Sequence, residues 1–206
     1  MLNTSKHELI VLGLLWFVYC FIHSLLIADP VKVRAEAILK ERFAYYRLFF
    51  NVLSAVLLVP VVLYAARIDS RPIFRYRGPW ITIQVFLLSG GTILFYLGAK
   101  AYDMKEFLGL RQIRGGESSA GGELSTKGVL GFVRHPWYLA AIMVIWARNI
   151  GTRELTTNLI LTAYLIIGTY LEERSLVKSF GDRYREYQRE VSMLLPIKWL
   201  KKRIRE

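Results

Sequence analysis

With 206 residues, 54% of them hydrophobic, and a mean hydropathy of +0.33, the chain carries more apolar surface than a soluble core of this size needs; it reads as a single membrane domain over residues 1–206. The net charge of +12 comes from 28 Lys and Arg against 16 Asp and Glu, but these charges lie between apolar runs, which assigns them to membrane orientation and argues against a nucleic-acid partner. One cysteine, Cys20, sits inside an apolar run, so intrachain disulfides, CxxC redox chemistry and thiolate metal clusters are excluded, and no metal is expected.

Five apolar stretches predict transmembrane helices at 8–28, 45–66, 79–99, 137–150 and 155–171, giving an all-α integral membrane protein. The start of the chain lacks the charged region and cleavage site of a secretory signal, so the first stretch is expected to stay as a helix. His23 with Ser24 lies in that first span; Arg47 and Asn51, four apart, share a face of the second. An interhelical hydrogen-bonding pair accounts for them. Gly91 and Gly98, seven apart on one face of the third span, predict close helix packing. Residues 115–122 read GGESSAGG, a polar low-complexity loop; no strand precedes it, so it is not a dinucleotide fingerprint.

The last two apolar stretches would reach only about 20–25 Å. They are either short spans helped by interfacial residues and a thin bilayer, or a hairpin dipping from one face. With five spans, 20 of the 28 Lys and Arg fall on the side of the C-terminus and seven on the other, with Arg47 inside the second span. That asymmetry puts the N-terminus outside, the C-terminus in the cytoplasm and residues 172–206 in a cytoplasmic tail. In the tail, Leu176, Phe180, Tyr184, Tyr187 and Val191 recur at helical steps, with Arg183, Arg185 and Arg189 elsewhere on the helix. The expectation is a C-terminal amphipathic interfacial helix, acting as an anchor, as a lid or as both, and weakened at Gly181. The terminal KKRIRE run follows Trp199 and is expected to meet anionic headgroups.

Chemistry concentrates at the two ends of the last helical pair. Arg134, His135, Pro136, Trp137 and Tyr138 open the fourth span, and Pro136 suits a first helical turn. Glu172 and Glu173 close the fifth. An antiparallel pair turning near 149–153 returns His135 and Glu172 to one depth, gathering a base, a guanidinium, two carboxylates and a phenol at the membrane rim. Ionisable residues there point to function, although an Arg134 snorkelling to phosphates and glutamates ending a helix in water explain the same spacing.

The RHPWY run at 134–138, the Glu172–Glu173 pair, FGDRYREY at 180–187 and LLP at 194–196 resemble membrane methyltransferases related to isoprenylcysteine carboxyl methyltransferase and phospholipid N-methyltransferase. IHSLLIADPVK at 22–32, YRLFFN at 46–51 and FLGLRQ at 107–112 resemble the NnrU-like proteins and the bacterial methanethiol S-methyltransferases. The resemblance implies S-adenosylmethionine as cofactor, without a soluble Rossmann domain. It implies a cofactor pocket drawn from Gln112, Gly128, Val129, Arg134, His135, Pro136, Tyr138, Glu172 and Glu173, with His135, Arg134 and Glu172 as the catalytic set and His23, Arg47 and Asn51 on the acceptor side.

Arg134 or His135 suits the cofactor carboxylate, and a glutamate suits its ammonium or ribose hydroxyls. A thiol acceptor needs deprotonation, for which a neutral His135 is a candidate. The expectation is a multi-pass methyltransferase of the bacterial cytoplasmic membrane acting on a small or lipidic acceptor, a thiol by preference. The rivals are a non-catalytic NnrU-like accessory protein and a phospholipid N-methyltransferase. A small transporter fits less well, because the polar residues gather at one rim rather than along a midplane path.

Overall fold

The computed structural model describes residues 5–114 and 124–205, so the glycine- and serine-rich stretch 115–122 lies outside the described residues. The described residues fall into two compact units, 5–74, 104–114 and 150–160 in the first and 75–103, 124–149 and 161–205 in the second.

The first unit opens with α1, Lys6–Ile27, started by a capping box in which the Ser5 side chain accepts from His7 N at 3.2 Å and Glu8 accepts from Ser5 N at 2.8 Å. A turn at Ala28 leads into α2, Asp29–Leu39, with Pro30 in its first turn, where a missing N–H costs nothing. A 3₁₀ segment then joins it to α3, Tyr46–Arg67. The Tyr46 hydroxyl donates to the Leu26 carbonyl at 2.8 Å, tying the start of α3 to the end of α1. Beyond α3, β1 (Pro72–Phe74) pairs antiparallel with β2 (Ile150–Gly151). Immediately after β2, Arg153 donates to the carbonyls of Ala65 and Ile68 at 3.1 and 3.2 Å, satisfying orphan acceptors at the end of α3.

The second unit is built on α4, Trp80–Ala101, followed in the first unit by α5 (Met104–Phe107) and α6 (Leu110–Ile113), then in the second by α7 (Pro136–Trp146). The long α8, Thr152–Phe180, begins in the first unit and continues in the second, where α9 (Asp182–Glu190) and α10 (Ile197–Arg205) follow. Helices α4 and α7 meet at glycines. A Cβ on Gly91 would lie 2.9 Å from Val144 Cγ2, and one on Gly98 would lie 2.5 Å from Trp137 Cδ1. Both glycines are buried, as their spacing predicts. The Trp137 indole donates to the Phe95 carbonyl at 3.1 Å, and the end of α7 is closed by Gln84 and Tyr76, which donate to the carbonyls of Ala147 and Trp146.

Gly98→Ala should therefore destabilise by about 1–3 kcal/mol, because a rigid indole cannot yield as a flexible side chain would. Gly168→Ala, whose Cβ would meet Tyr138 at an ordinary 3.5 Å, should be tolerated. Thermal melting of both variants in one detergent checks the contrast.

Three helical stretches, Lys6–Ile27, Asp29–Arg67 and Trp80–Ala101, are long and apolar enough to cross a membrane. Their outward faces carry exposed large hydrophobics such as Phe17, Val56 and Phe86, and the chain is an all-α membrane protein. Two expected boundaries are corrected. The fourth apolar stretch ends as a helix at Trp146, 11 residues in all, or about 16 Å of rise. The fifth helix does not close at Glu172 and Glu173 but runs on to Phe180, because Glu173 is neutralised within the protein and need not end the helix in water.

A third correction concerns the tail. Gly181, at φ +59°, separates α8 from α9, and the apolar face read across this break is interior rather than lipid-facing. Tyr184, Tyr187 and Val191 are buried against Leu124, Leu176, Val177 and Phe180. The helix that does expose an amphipathic surface is α10.

Candidate active site

The segment leading into α7 is fixed by backbone pairing. Val133 bridges Ser192 in parallel, the Arg134 N–H donates to the Ser192 carbonyl at 3.0 Å, and the His135 N–H donates to the Met193 carbonyl at 3.2 Å. His135 is thus held at the N-cap of α7, with Pro136 in the first turn. Both side chains are carried to one carboxylate. Arg134 grips Glu173 through two parallel bonds of 2.8 and 2.7 Å, and His135 Nε2 lies 2.7 Å from Glu173 Oε1.

Glu173 also accepts from the Tyr184 hydroxyl at 2.7 Å and from the Gln188 amide. Arg134 directs its remaining contacts at the carbonyls of Gln188 and Val191. Burial opposes ionisation of Glu173, but hydrogen bonds from His135, Arg134, Gln188 and Tyr184 together outweigh it and hold the carboxyl well below the usual carboxylate range. Tyr184 moves the other way: burial, then its bond to Glu173, pushes the phenol far up, which keeps it a donor.

Glu172 is the opposite of its neighbour. Its side chain is 42% exposed where that of Glu173 is 8% exposed, and its Oε2 lies 3.6 Å from His135 Nδ1. The imidazole therefore stands between a buried carboxylate and one open to solvent. Because ionised Glu173 can only accept, it fixes the proton of a neutral imidazole on Nε2 and leaves Nδ1 as the basic nitrogen on the open side. Tyr138, in the first turn of α7, meets the His135 ring edge-on at 5.6 Å and lies close to Glu172. Tyr102, at the end of α4, has its phenol pushed up to about 12 by burial and by the charge of Glu172.

Arg134, His135, Pro136, Tyr138, Glu172 and Glu173 thus come together as the spacing predicts. The Gly128–Gly131 turn bearing Val129 is attached to them through Tyr187, whose hydroxyl donates to the Leu130 carbonyl at 2.6 Å. Gly128 holds φ +62° with open space where a Cβ would stand, room for a ligand to approach the backbone.

Gln112, His23, Arg47 and Asn51 belong to the first unit. There the Asn51 amide donates to the Phe107 carbonyl at 3.2 Å, Gly109 packs on the backbone of Leu48, and His23 lies 5.0 Å from the Phe50 ring centre. Gln112 Nε2 donates to the Glu106 carbonyl at 3.4 Å, and its buried Oε1 has no hydrogen-bond partner among the described residues. Sequence reasoning missed Gln188 and Tyr102, which no motif marks. It read Tyr184 and Tyr187 as apolar surface, although their place in the FGDRYREY run was a usable signal.

Helices of membrane length, and a histidine–carboxylate site between the start of α7 and α8, define an all-α membrane protein with an enzyme-like polar centre. The NnrU protein family matches residues 9–177, and the chain belongs to that family. It is 29% identical over 203 residues to methanethiol S-methyltransferase 1 of Bradyrhizobium diazoefficiens, covering 94% of this chain and 69% of that protein. It is 48% identical over 65 residues to the methanethiol S-methyltransferase of Pseudomonas deceptionensis, or 31% of this chain and 25% of that protein. It is also 32% identical over 152 residues to methanethiol S-methyltransferase 2 of B. diazoefficiens, or 70% of this chain and 58% of that protein. Across these relatives the chain spans from 25% to 69% of their length. No solved structure matches the chain significantly.

Proposed function

We propose that the chain is an S-adenosylmethionine-dependent membrane methyltransferase whose acceptor is a small thiol, of the methanethiol type named for its relatives. The observation that carries the reading is His135, clamped by buried Glu173 on one side and facing solvent-exposed Glu172 on the other. The donor set suits the cofactor. Glu172, with Tyr138 and Tyr102 beside it, offers a carboxylate and two hydroxyls to an ammonium, ribose hydroxyls and a sulfonium, and the open Gly128 turn offers backbone.

When bound, S-adenosylmethionine supplies an electrophilic methyl on its sulfonium. The chain's own residues align and deprotonate. Arg134, which the sequence makes a candidate for the cofactor carboxylate, instead holds Glu173, and Glu173 holds His135. His135 Nδ1 takes the thiol proton, leaving the thiolate that is the competent nucleophile, and Glu172 stands 3.6 Å away as the next acceptor toward solvent. Alignment of acceptor and methyl supplies most of the remaining acceleration.

We further propose that the α7–α8 pair adds to the three long helices to give five membrane passages. The basic asymmetry supports a reading with the N-terminus outside and the C-terminus in the cytoplasm of a bacterial inner membrane.

Calorimetry on detergent-purified protein tests the cofactor, and product analysis with methanethiol, a phospholipid amine and an isoprenylated cysteine tests the acceptor. The expected result is S-adenosylmethionine binding with turnover of the thiol. No binding by folded protein would sink the reading; binding without turnover of any acceptor would leave a non-catalytic accessory protein.

A further inference from the structure

We propose that the C-terminal end of the chain carries a site for the phosphate of an anionic phospholipid headgroup, formed where α9 meets α10. Five basic side chains, Arg189 from the last turn of α9 and Lys198, Lys201, Lys202 and Arg205 from α10, line an open pocket of about 380 Å³. Among the described residues no salt bridge joins any of the five to a carboxylate. Cations gathered without counter-charge repel one another, so the arrangement is stabilised by an anion drawn from outside the chain. Lys198 is already oriented, its Nζ donating to the Gln188 carbonyl at 2.5 Å; two of the three ammonium donors remain for a ligand.

The helix that carries four of the cations identifies the source of the anion. At 100° per residue, Lys198, Lys201, Lys202 and Arg205 fall on one arc of α10, and Ile197, Leu200 and Ile204 fall on the adjoining arc. All three apolar residues are exposed, Ile204 at 83%. Trp199, beyond the far edge of the cationic arc, packs edge-on against Phe132 at 5.1 Å and carries Arg203 over its ring at 5.7 Å. An apolar ridge beside a cationic face, in a protein with membrane-length helices, describes a helix lying at the headgroup level. Free phosphate or nucleic acid gives the ridge nothing to enter. Lysine and arginine select headgroups of net negative charge over zwitterionic ones, since only the former leave an uncompensated phosphate.

The test is native mass spectrometry of the full chain released from detergent, titrated with phosphatidylglycerol or phosphatidylcholine. Wild type should retain phosphatidylglycerol in preference. Lys201→Gln with Lys202→Gln should weaken that retention by about thirtyfold, the loss of two basic groups facing an anionic surface. The double variant should keep its melting temperature and its phosphatidylcholine retention. Equal retention of the two lipids by wild type, or undiminished phosphatidylglycerol retention by the variant, would overturn the proposal. So would inorganic phosphate binding as tightly as the lipid in calorimetry, which would make the pocket a free-anion site.

Discussion

Glu173→Gln is expected to lower stability by about 3–5 kcal/mol, the cost of leaving a buried cation without its partner, and to abolish cofactor binding. The substitution preserves shape but removes the charge at which Arg134, His135, Tyr184 and Gln188 converge. Arg134 cannot deprotonate to escape, and it is only 8% exposed. Replacing both members, Arg134→Met with Glu173→Leu, should recover part of the stability because no buried charge is stranded, while leaving the protein without activity. Thermal melting of the single and double variants at equal detergent concentration checks this. Full stability in Glu173→Gln would mean that solvent reaches Arg134 and that the cluster is less enclosed than its geometry implies.

The same carboxylate sets the acid limit of the fold. Its folded pKa lies below its unfolded value, so the unfolded chain binds the proton first as pH falls. Stability from this group is complete above the ordinary carboxylate range and drains away as pH drops through that range toward the folded value. Wild type should lose melting temperature on acidification below about pH 4.5, the ordinary value for this group, more steeply than Glu173→Gln does.

Legibility in the sequence followed local periodicity. Helices α1, α3 and α4 begin and end within two residues of the apolar runs that predict them, because lipid-facing helices are apolar nearly all round and charged residues mark their ends. Hydropathy failed where protein rather than lipid surrounds the helix. Glu172 and Glu173 look like a terminus by composition, yet the helix passes through them because Glu173 meets Arg134. The step-of-four pattern from Leu176 to Val191 correctly marked a buried face but could not tell a protein core from a headgroup layer, since both reward the same spacing.

At the site, the motif residues were legible as a set but their division of labour was not. Arg134 and His135 are adjacent in sequence and equally attractive partners for a cofactor carboxylate. Only the long-range contacts to Glu173, Gln188 and Val191 show the arginine to be occupied. Tyr102 reaches the neighbourhood of Glu172 from the end of another helix, a relation that no local pattern encodes.

His135→Asn should cut turnover with a weakly acidic thiol by about 10²–10⁴-fold, the usual contribution of a positioned general base. Asparagine presents no basic nitrogen where Nδ1 now faces Glu172. If the role is proton removal, the deficit resides in kcat and shrinks with thiols acidic enough to ionise unaided, because the thiolate then arrives ready-made. Glu172→Gln separates the neighbouring role. With its side chain 42% exposed it should fold normally, and its principal effect should be weaker cofactor binding. Both are measured by initial rates across a series of thiols of graded acidity, with calorimetry for the cofactor. A His135→Asn deficit that is the same for every thiol and appears as lost cofactor affinity would make His135 a cofactor ligand and return the search for the base to Glu172 and Tyr138.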